Sequence, residues 1–278
     1  MKLTRVLIIG GTHGNEWTGA RVVTQYQQRF IQKYPTLQLE FILGNPKAFE
    51  QNRRFTEEDL NRAFQFLNEK SETFEHKRAR EIKARIDESP CFVIDLHTTT
   101  SNLGKTIILS HYEKINCFVA SALTEKISDC RVIGSPDPQK KYLASQSPFG
   151  MMIEVGPIPN GILEAKALEG TLEILDGILS SLSTLPEHLN GAMEYYEEAQ
   201  DQHYPKNEKG ELSAYIHSEF QGKDFTKIFG DYTPFRSFSG TDIQLKTSEE
   251  LYPIFINEAA YYPQQLAFTL CRKRILQF

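Results

Sequence analysis

Val6-Leu7-Ile8-Ile9-Gly10-Gly11-Thr12-His13-Gly14-Asn15-Glu16 is the stretch that decides the fold. Four apolar residues in a row read as a strand buried on both faces. The glycine pair cuts that strand and opens a tight turn. From Glu16 to about Tyr34 the pattern is helical, with Pro35 just beyond it. Further along, Leu39–Leu43 reads as a second strand closed by Asn45-Pro46, and Arg53 to Arg62 as a polar loop. A long helix of mixed charge is expected from Thr73 to about Glu88, then strands at Phe92–Leu96, Thr106–Leu109 and Met151–Val155, and a helix from Glu164 to Leu182. Strands alternating with helices predict an α/β fold, with a mostly parallel mixed sheet flanked by helices.

The character changes near Leu185-Pro186. A polar segment follows, then turn-rich sequence such as Asn207-Glu208-Lys209-Gly210 and Ser239-Gly240-Thr241, with short alternating runs at Leu212–His217 and Tyr252–Ile256. This predicts a smaller β-rich unit. The expected division is 1–186 and 187–278.

Bulk properties narrow the function. The chain has 278 residues, enough for a large core, and a net charge of −5. No broad basic field is expected, which argues against nucleic acid as a partner. No stretch approaches the ~20 apolar residues of a membrane span. The first apolar run, interrupted by Gly10-Gly11, is shorter than the ~7–15 residues of a signal core. Cys91, Cys117, Cys130 and Cys271 form no C-x-x-C pair and read as reduced thiols, so a cytoplasmic protein is expected.

The chemistry is carried by a few residues. His13 and Glu16 stand three apart on the glycine turn, so an imidazole nitrogen and a carboxylate oxygen can converge on one Zn²⁺ ion. The run Cys91–Leu96 delivers His97 at its end. Two His and one Glu leave a tetrahedral position for water, as catalytic zinc sites do. A lone His-x-x-Glu is common. Its place between strand and helix gives it weight, because ligands of open α/β sheets gather at the carboxyl ends of strands. Asp95 shares a strand face with His97, so it either orients that histidine or pairs elsewhere. Glu154, inside an apolar strand, needs a cationic partner or serves as a base with a raised pKa. Arg54, Asn61 and Arg62 read alone as a solvated loop. Beside a zinc site, one Arg suits a substrate carboxylate and another a developing oxyanion. Asp59 reads as a loop-shaping residue, Tyr261 and Tyr262 as packing residues, and His76, His111, His188, His203 and His217 as structural or surface residues.

Gly11-Thr12-His13-Gly14-Asn15-Glu16, Asp59-Leu60-Asn61-Arg62, Asp95-Leu96-His97-Thr98-Thr99-Thr100-Ser101-Asn102, Ile153-Glu154-Val155-Gly156-Pro157 and Asn257-Glu258-Ala259-Ala260-Tyr261-Tyr262 together resemble the aspartoacylase family. That family belongs to a group similar to zinc carboxypeptidases and succinylglutamate desuccinylase. The resemblance implies a zinc-dependent amidohydrolase taking a small N-acyl amino acid, most often N-acetyl-L-aspartate. It implies one zinc per chain on His13, Glu16 and His97. Glu154 would move the proton of the attacking water and touch the substrate, Arg54 would polarise and bind the amide carbonyl, and Asn61, Arg62 and Tyr261 would bind the substrate carboxylate, with Tyr142 a further contact. The carboxy-terminal unit would narrow the entrance. A homo-oligomer is left open. Departures stand at Gln146 and at Pro263-Gln264-Gln265, where the family often carries cations. They predict deacylation with a weakened preference for aspartate, unless Lys140, Lys141 or another residue supplies the charge. Two rivals are a desuccinylase or other acylase of the same group, and a metal-binding module without turnover.

Overall fold

A computed structural model of the chain describes residues 3–278. Side-chain alternation along the first strand, β1 (Arg5–Gly10), sets the layers. Val6 and Ile8 enter the core on one face and Leu7 and Ile9 the core on the other, all fully buried. Each such side chain contributes roughly 1.5–3 kcal/mol by leaving water. The chain continues through α1 (Trp17–Gln25), α2 (Gln27–Lys33), β2 (Gln38–Leu43), α3 (Pro46–Glu50), α4 (Leu60–Ala63), α5 (Phe74–Asp87) and β3 (Phe92–Thr98). Next come β4 (Gly104–Leu109), α6 (Lys114–Lys126), β5 (Cys130–Gly134), β6 (Gly150–Gly156) and α7 (Ala165–Ser183). The remainder is β7 (Ala192–His203), β8 (Ala214–Ile216), β9 (Ile228–Ser237), β10 (Asp242–Ile254) and β11 (Leu266–Gln277).

The strands join in the order β2-β1-β3-β6-β4-β5-β7-β11-β10-β9-β8. β2, β1, β3 and β6 are parallel, and β4 reverses direction against β6. One face of this mixed sheet is covered by α1, α6 and α7 through Val22, Leu123, Ile174 and Ile178. On the other face, α5 packs Ile82 and Ile86 against Leu7, Ile9 and Val93. The β-rich region has its own core around Phe235, Ile256 and Phe268. A fourth cluster joins the two regions, with Leu103, Ile108 and Ile133 meeting Phe225, Ile254 and Phe255.

Several elements differ from expectation. The helix expected from Glu16 to Tyr34 is two helices, parted at Tyr26, where the Phe30 N–H to Tyr26 O bond lengthens to 3.4 Å. The Arg53–Arg62 loop ends in α4, whose N-cap is Asp59, accepting from Asn61 N at 2.9 Å. The polar segment after Leu185 holds the 12-residue strand β7. Most of β7 is solvated, so only Met193 and Tyr195 are buried and no alternation marks it. α6 lacks a side-chain cap at Glu113, which removes the usual start signal. β5 and β11 were also not anticipated.

Candidate metal centre

Gly11, at φ +71°, turns the chain out of β1. A Cβ on Gly10 would lie 2.1 Å from the Gly19 carbonyl oxygen, so α1 can begin this close only against glycine. The turn presents His13. Glu16 occupies the N-cap position of α1 but makes no capping bond. Its carboxylate instead faces two imidazoles: Oε1 lies 2.6 Å from His13 Nδ1 and Oε2 2.9 Å from His97 Nδ1. One donor atom from each of the three residues falls within a 4.8 Å cluster, and all three residues are buried. His97 Nε2 is 2.7 Å from Asp95 Oδ2, and Asp95 Oδ1 accepts from the Thr12 hydroxyl at 2.7 Å. A carboxylate can only accept, so Asp95 holds a ring proton on Nε2, and Nδ1, which faces Glu16, is the nitrogen that a metal ion would take in place of a proton. Of the two roles left open for Asp95, the geometry selects contact with the histidine.

The donor set fits one divalent ion such as Zn²⁺: two imidazole nitrogens, a carboxylate, and room at the cavity side. Electrostatics agree. Burial opposes charge on Glu16, but His13 and His97 outweigh it and hold the carboxyl well below its usual range. Burial opposes protonation of His97, yet Asp95 and Glu16 overcome it and favour positive charge there. A metal cation satisfies the same field.

Arg54 is held against this cluster. Its Nε donates to Asp59 Oδ2 at 3.1 Å, while Nη2 lies 2.8 Å from His13 Nε2 and Nη1 3.5 Å from Glu16 Oε1. Asp59 thus does more than shape its loop: its Oδ1 also lies 3.2 Å from His13 Nε2. Burial would raise its pKa, but His13, Arg54 and Arg62 keep it well below the carboxylate range. Arg62 forms no ion pair among the described residues, and its guanidinium lies 4.5 Å over the Tyr142 ring. Asn61 Oδ1 accepts from Leu143 N at 2.9 Å, which ties the Tyr142 loop to α4.

Glu154 is the register partner of His97 across the parallel β3–β6 pair, so both side chains rise from one sheet face. Its Oε2 is enclosed and has no hydrogen-bond partner among the described residues. Burial pushes its pKa up to about 8; Glu16 and Glu258 add to the rise, against His97 and Arg54. Tyr261 comes from the β-rich region, where its ring packs on Phe255 at 5.3 Å. All nine candidate residues line a single cavity of about 310 Å³.

Sequence reasoning missed Glu258. Its Oε2 accepts from Thr99 Oγ1, from Thr100 N and Oγ1 at 2.8 and 2.9 Å, and from Ser101 N and Oγ at 3.2 Å each. Its Oε1 caps the turn bearing Tyr261 by accepting from Ala260 N at 3.0 Å. One carboxylate therefore fastens the Tyr261 turn to the loop that follows His97. Glu198 and Asp201, which also line the cavity, gave no signal. The two expected glutamine positions need correction. Gln146 Nε2 donates to Lys140 O and Tyr142 O within its own loop, and Gln265, at φ +55°, reverses the chain into β11. Gln264 lines the cavity instead. Tyr262 packs against Tyr204, as expected of it. His76 and His217 are buried in hydrogen bonds to Glu58, Phe66 O, Glu219 N and Arg236, away from the cluster.

Fold and site together define an α/β protein with three donor groups that could hold a metal ion at the carboxyl ends of its parallel strands, walled by a β-rich region. Residues 2–182 match the family described as "Succinylglutamate desuccinylase/Aspartoacylase catalytic domain", and residues 191–273 match the "AstE/AspA barrel-sandwich hybrid domain". The chain belongs to the succinylglutamate desuccinylase/aspartoacylase family. It is 35% identical to a "Probable aspartoacylase" of Nostoc sp., covering 99% of this chain and 98% of that one. It is 33% identical to an "N-acyl-aromatic-L-amino acid amidohydrolase (carboxylate-forming)" of Xenopus tropicalis, covering 98% and 93%. The crystal structure of murine aminoacylase 3 superimposes with a TM-score of 0.92 at 28% identity, covering 100% of this chain and 97% of that one.

Proposed function

We propose that this chain is a zinc-dependent amidohydrolase, with one ion per chain on His13, Glu16 and His97, that releases the acyl group of a small N-acyl amino acid. One observation carries the reading. Glu154 Oε2 is enclosed beside His97 with no hydrogen-bond partner among the described residues, and burial pushes the carboxyl's pKa up to about 8. A protein that only binds metal needs no such base. A bound zinc ion would supply Lewis acidity, lowering the pKa of water from 15.7 to about 7.

The side chains divide the remaining work. Glu154 Oε2 takes the proton of the attacking water and returns it to the leaving amine nitrogen. Arg54, held rigid by Asp59, directs its guanidinium at the carbonyl oxygen as negative charge develops there, an effect typically worth ~3–4 kcal/mol. Arg62, with no carboxylate partner among the described residues, takes the substrate carboxylate. Asn61, Tyr142 and Tyr261 complete that wall. We assign 1–186 to catalysis and 187–278 to restricting the entrance. A cavity of about 310 Å³ suits one acylated amino acid better than a peptide.

The relatives' names point to two substrate classes, one to an acylated aspartate through the word aspartoacylase and the other to N-acyl-aromatic-L-amino acids. Ile108, Met152, Phe255 and Leu266 give the cavity an apolar side that favours admitting the second. Four buried, unpaired cysteines suit the reducing cytoplasm. No helix among the described residues is long and apolar enough to cross a membrane.

The test is elemental analysis of purified protein with an acid-release screen over N-acetyl and N-succinyl amino acids. Near-stoichiometric zinc with acetate release is expected. Metal-loaded protein that hydrolyses no N-acyl amino acid would leave only the binding-module reading. Release of succinate but not acetate would turn it into a desuccinylase.

A further inference from the structure

Among the described residues, the cavity offers a substrate one uncommitted arginine. Arg54 is already spent on Asp59, His13 and Glu16, which leaves Arg62. One free guanidinium matches one carboxylate, and every N-acyl amino acid has that one. Lys140 and Lys141 do not line the cavity, and Gln146 is turned into its own loop. Beyond Arg62, the charged groups that the β-rich region brings to the wall are acidic. Glu198 on β7 keeps one oxygen on the Ser135 hydroxyl at 2.7 Å. Asp201, on the same strand, takes the Thr269 hydroxyl on Oδ1 at 2.7 Å. In each, the second oxygen makes no hydrogen bond among the described residues. Both residues line the cavity.

We propose that Glu198, backed by Asp201, is a specificity-determining residue that ranks substrate side chains by charge: cationic ahead of neutral, neutral ahead of anionic. The inference rests on the amidohydrolase reading and refines its substrate class to N-acyl amino acids carrying a single carboxylate, with basic side chains most favoured. The physical cause is symmetrical. A second substrate carboxylate here meets like charge with no cation to answer it, whereas an ammonium or guanidinium finds two acceptors.

The test uses near-isosteric pairs: N-acetyl-L-asparagine against N-acetyl-L-aspartate, and Nα-acetyl-L-lysine against N-acetyl-L-norleucine. In the native enzyme, kcat/KM should favour asparagine over aspartate and lysine over norleucine, each by about tenfold or more at low salt. Glu198→Gln should shrink both ratios by about tenfold, and Asp201→Asn should move them in the same direction. Added salt should compress the ratios in native protein. Binding of the free amino acids by calorimetry should rank the same way without turnover. A native preference for aspartate, or ratios that neither variant moves, overturns the inference. Binding that follows this ranking with no hydrolysis of any N-acyl amino acid defeats the amidohydrolase reading and leaves the charge ranking standing.

Discussion

Replacing Glu154 with Gln in metal-depleted protein turns the enclosed carboxyl into a stability measurement. Its pKa rises from the ordinary 4.5 to about 8, chiefly through burial. The folded chain therefore keeps a proton that the unfolded chain releases above pH 4.5. The stabilisation is complete below 4.5, declines through the interval, and is gone above about 8. At about 1.36 kcal/mol per pH unit the whole interval amounts to roughly 5 kcal/mol. Glutamine stays neutral and nearly isosteric, so the variant loses none of this. Between pH 5.5 and 8.5 the variant should gain about 3 kcal/mol on the native protein, or about 6–10 °C in Tm. Denaturant melts in chelator across that range measure it. Parallel stability curves for the two proteins would refute the claim that burial holds Glu154 neutral. In the same preparations loaded with zinc, kcat should fall by about 10²–10⁴ with metal content unchanged, because a base is removed and no ligand.

Arg62→Gln should raise KM by about 10²-fold with a smaller loss in kcat, since the lost contact serves bound substrate and transition state alike. Steady-state kinetics decide it, and an effect confined to kcat would contradict the assignment. Asp95→Asn should weaken zinc binding about 10–100-fold in a competition titration while the protein stays folded. His97→Ala should abolish stoichiometric metal, and a variant that retains one ion per chain would refute that ligand. Glu258→Gln loses several hydrogen bonds to one anionic oxygen, so stability should drop by about 2–4 kcal/mol in denaturant titration. KM should rise as the Tyr261 turn loosens, whereas an unchanged KM would separate that turn from substrate binding.

What was legible in the chain was local. His13 and Glu16 are three residues apart on a glycine turn, so their convergence follows from the spacing, and His97 follows from the end of an apolar strand. The alternation that buries Ile94 and Leu96 on one face places Asp95 and His97 on the other, where β6 supplies Glu154 in register. What was not legible joins distant parts. Glu258 meets Thr100 across 158 positions, and nothing near either residue announces the other. The cavity's acidic wall depends on β7 pairing with β5 through Ile133↔Tyr196 and Gly134↔Glu197, the short ladder that carries the sheet into the β-rich region. Since β7 is largely solvated, its sequence is free of the burial constraint that writes a readable pattern, and charge can vary there without unfolding anything. The proposed metal ligands and the proposed base, Glu154, are anchored to a packed sheet, where change is costly. Glu198 and Asp201 sit on a strand that tolerates much. A family that keeps its chemistry while altering its substrates would alter them most cheaply at positions of this kind.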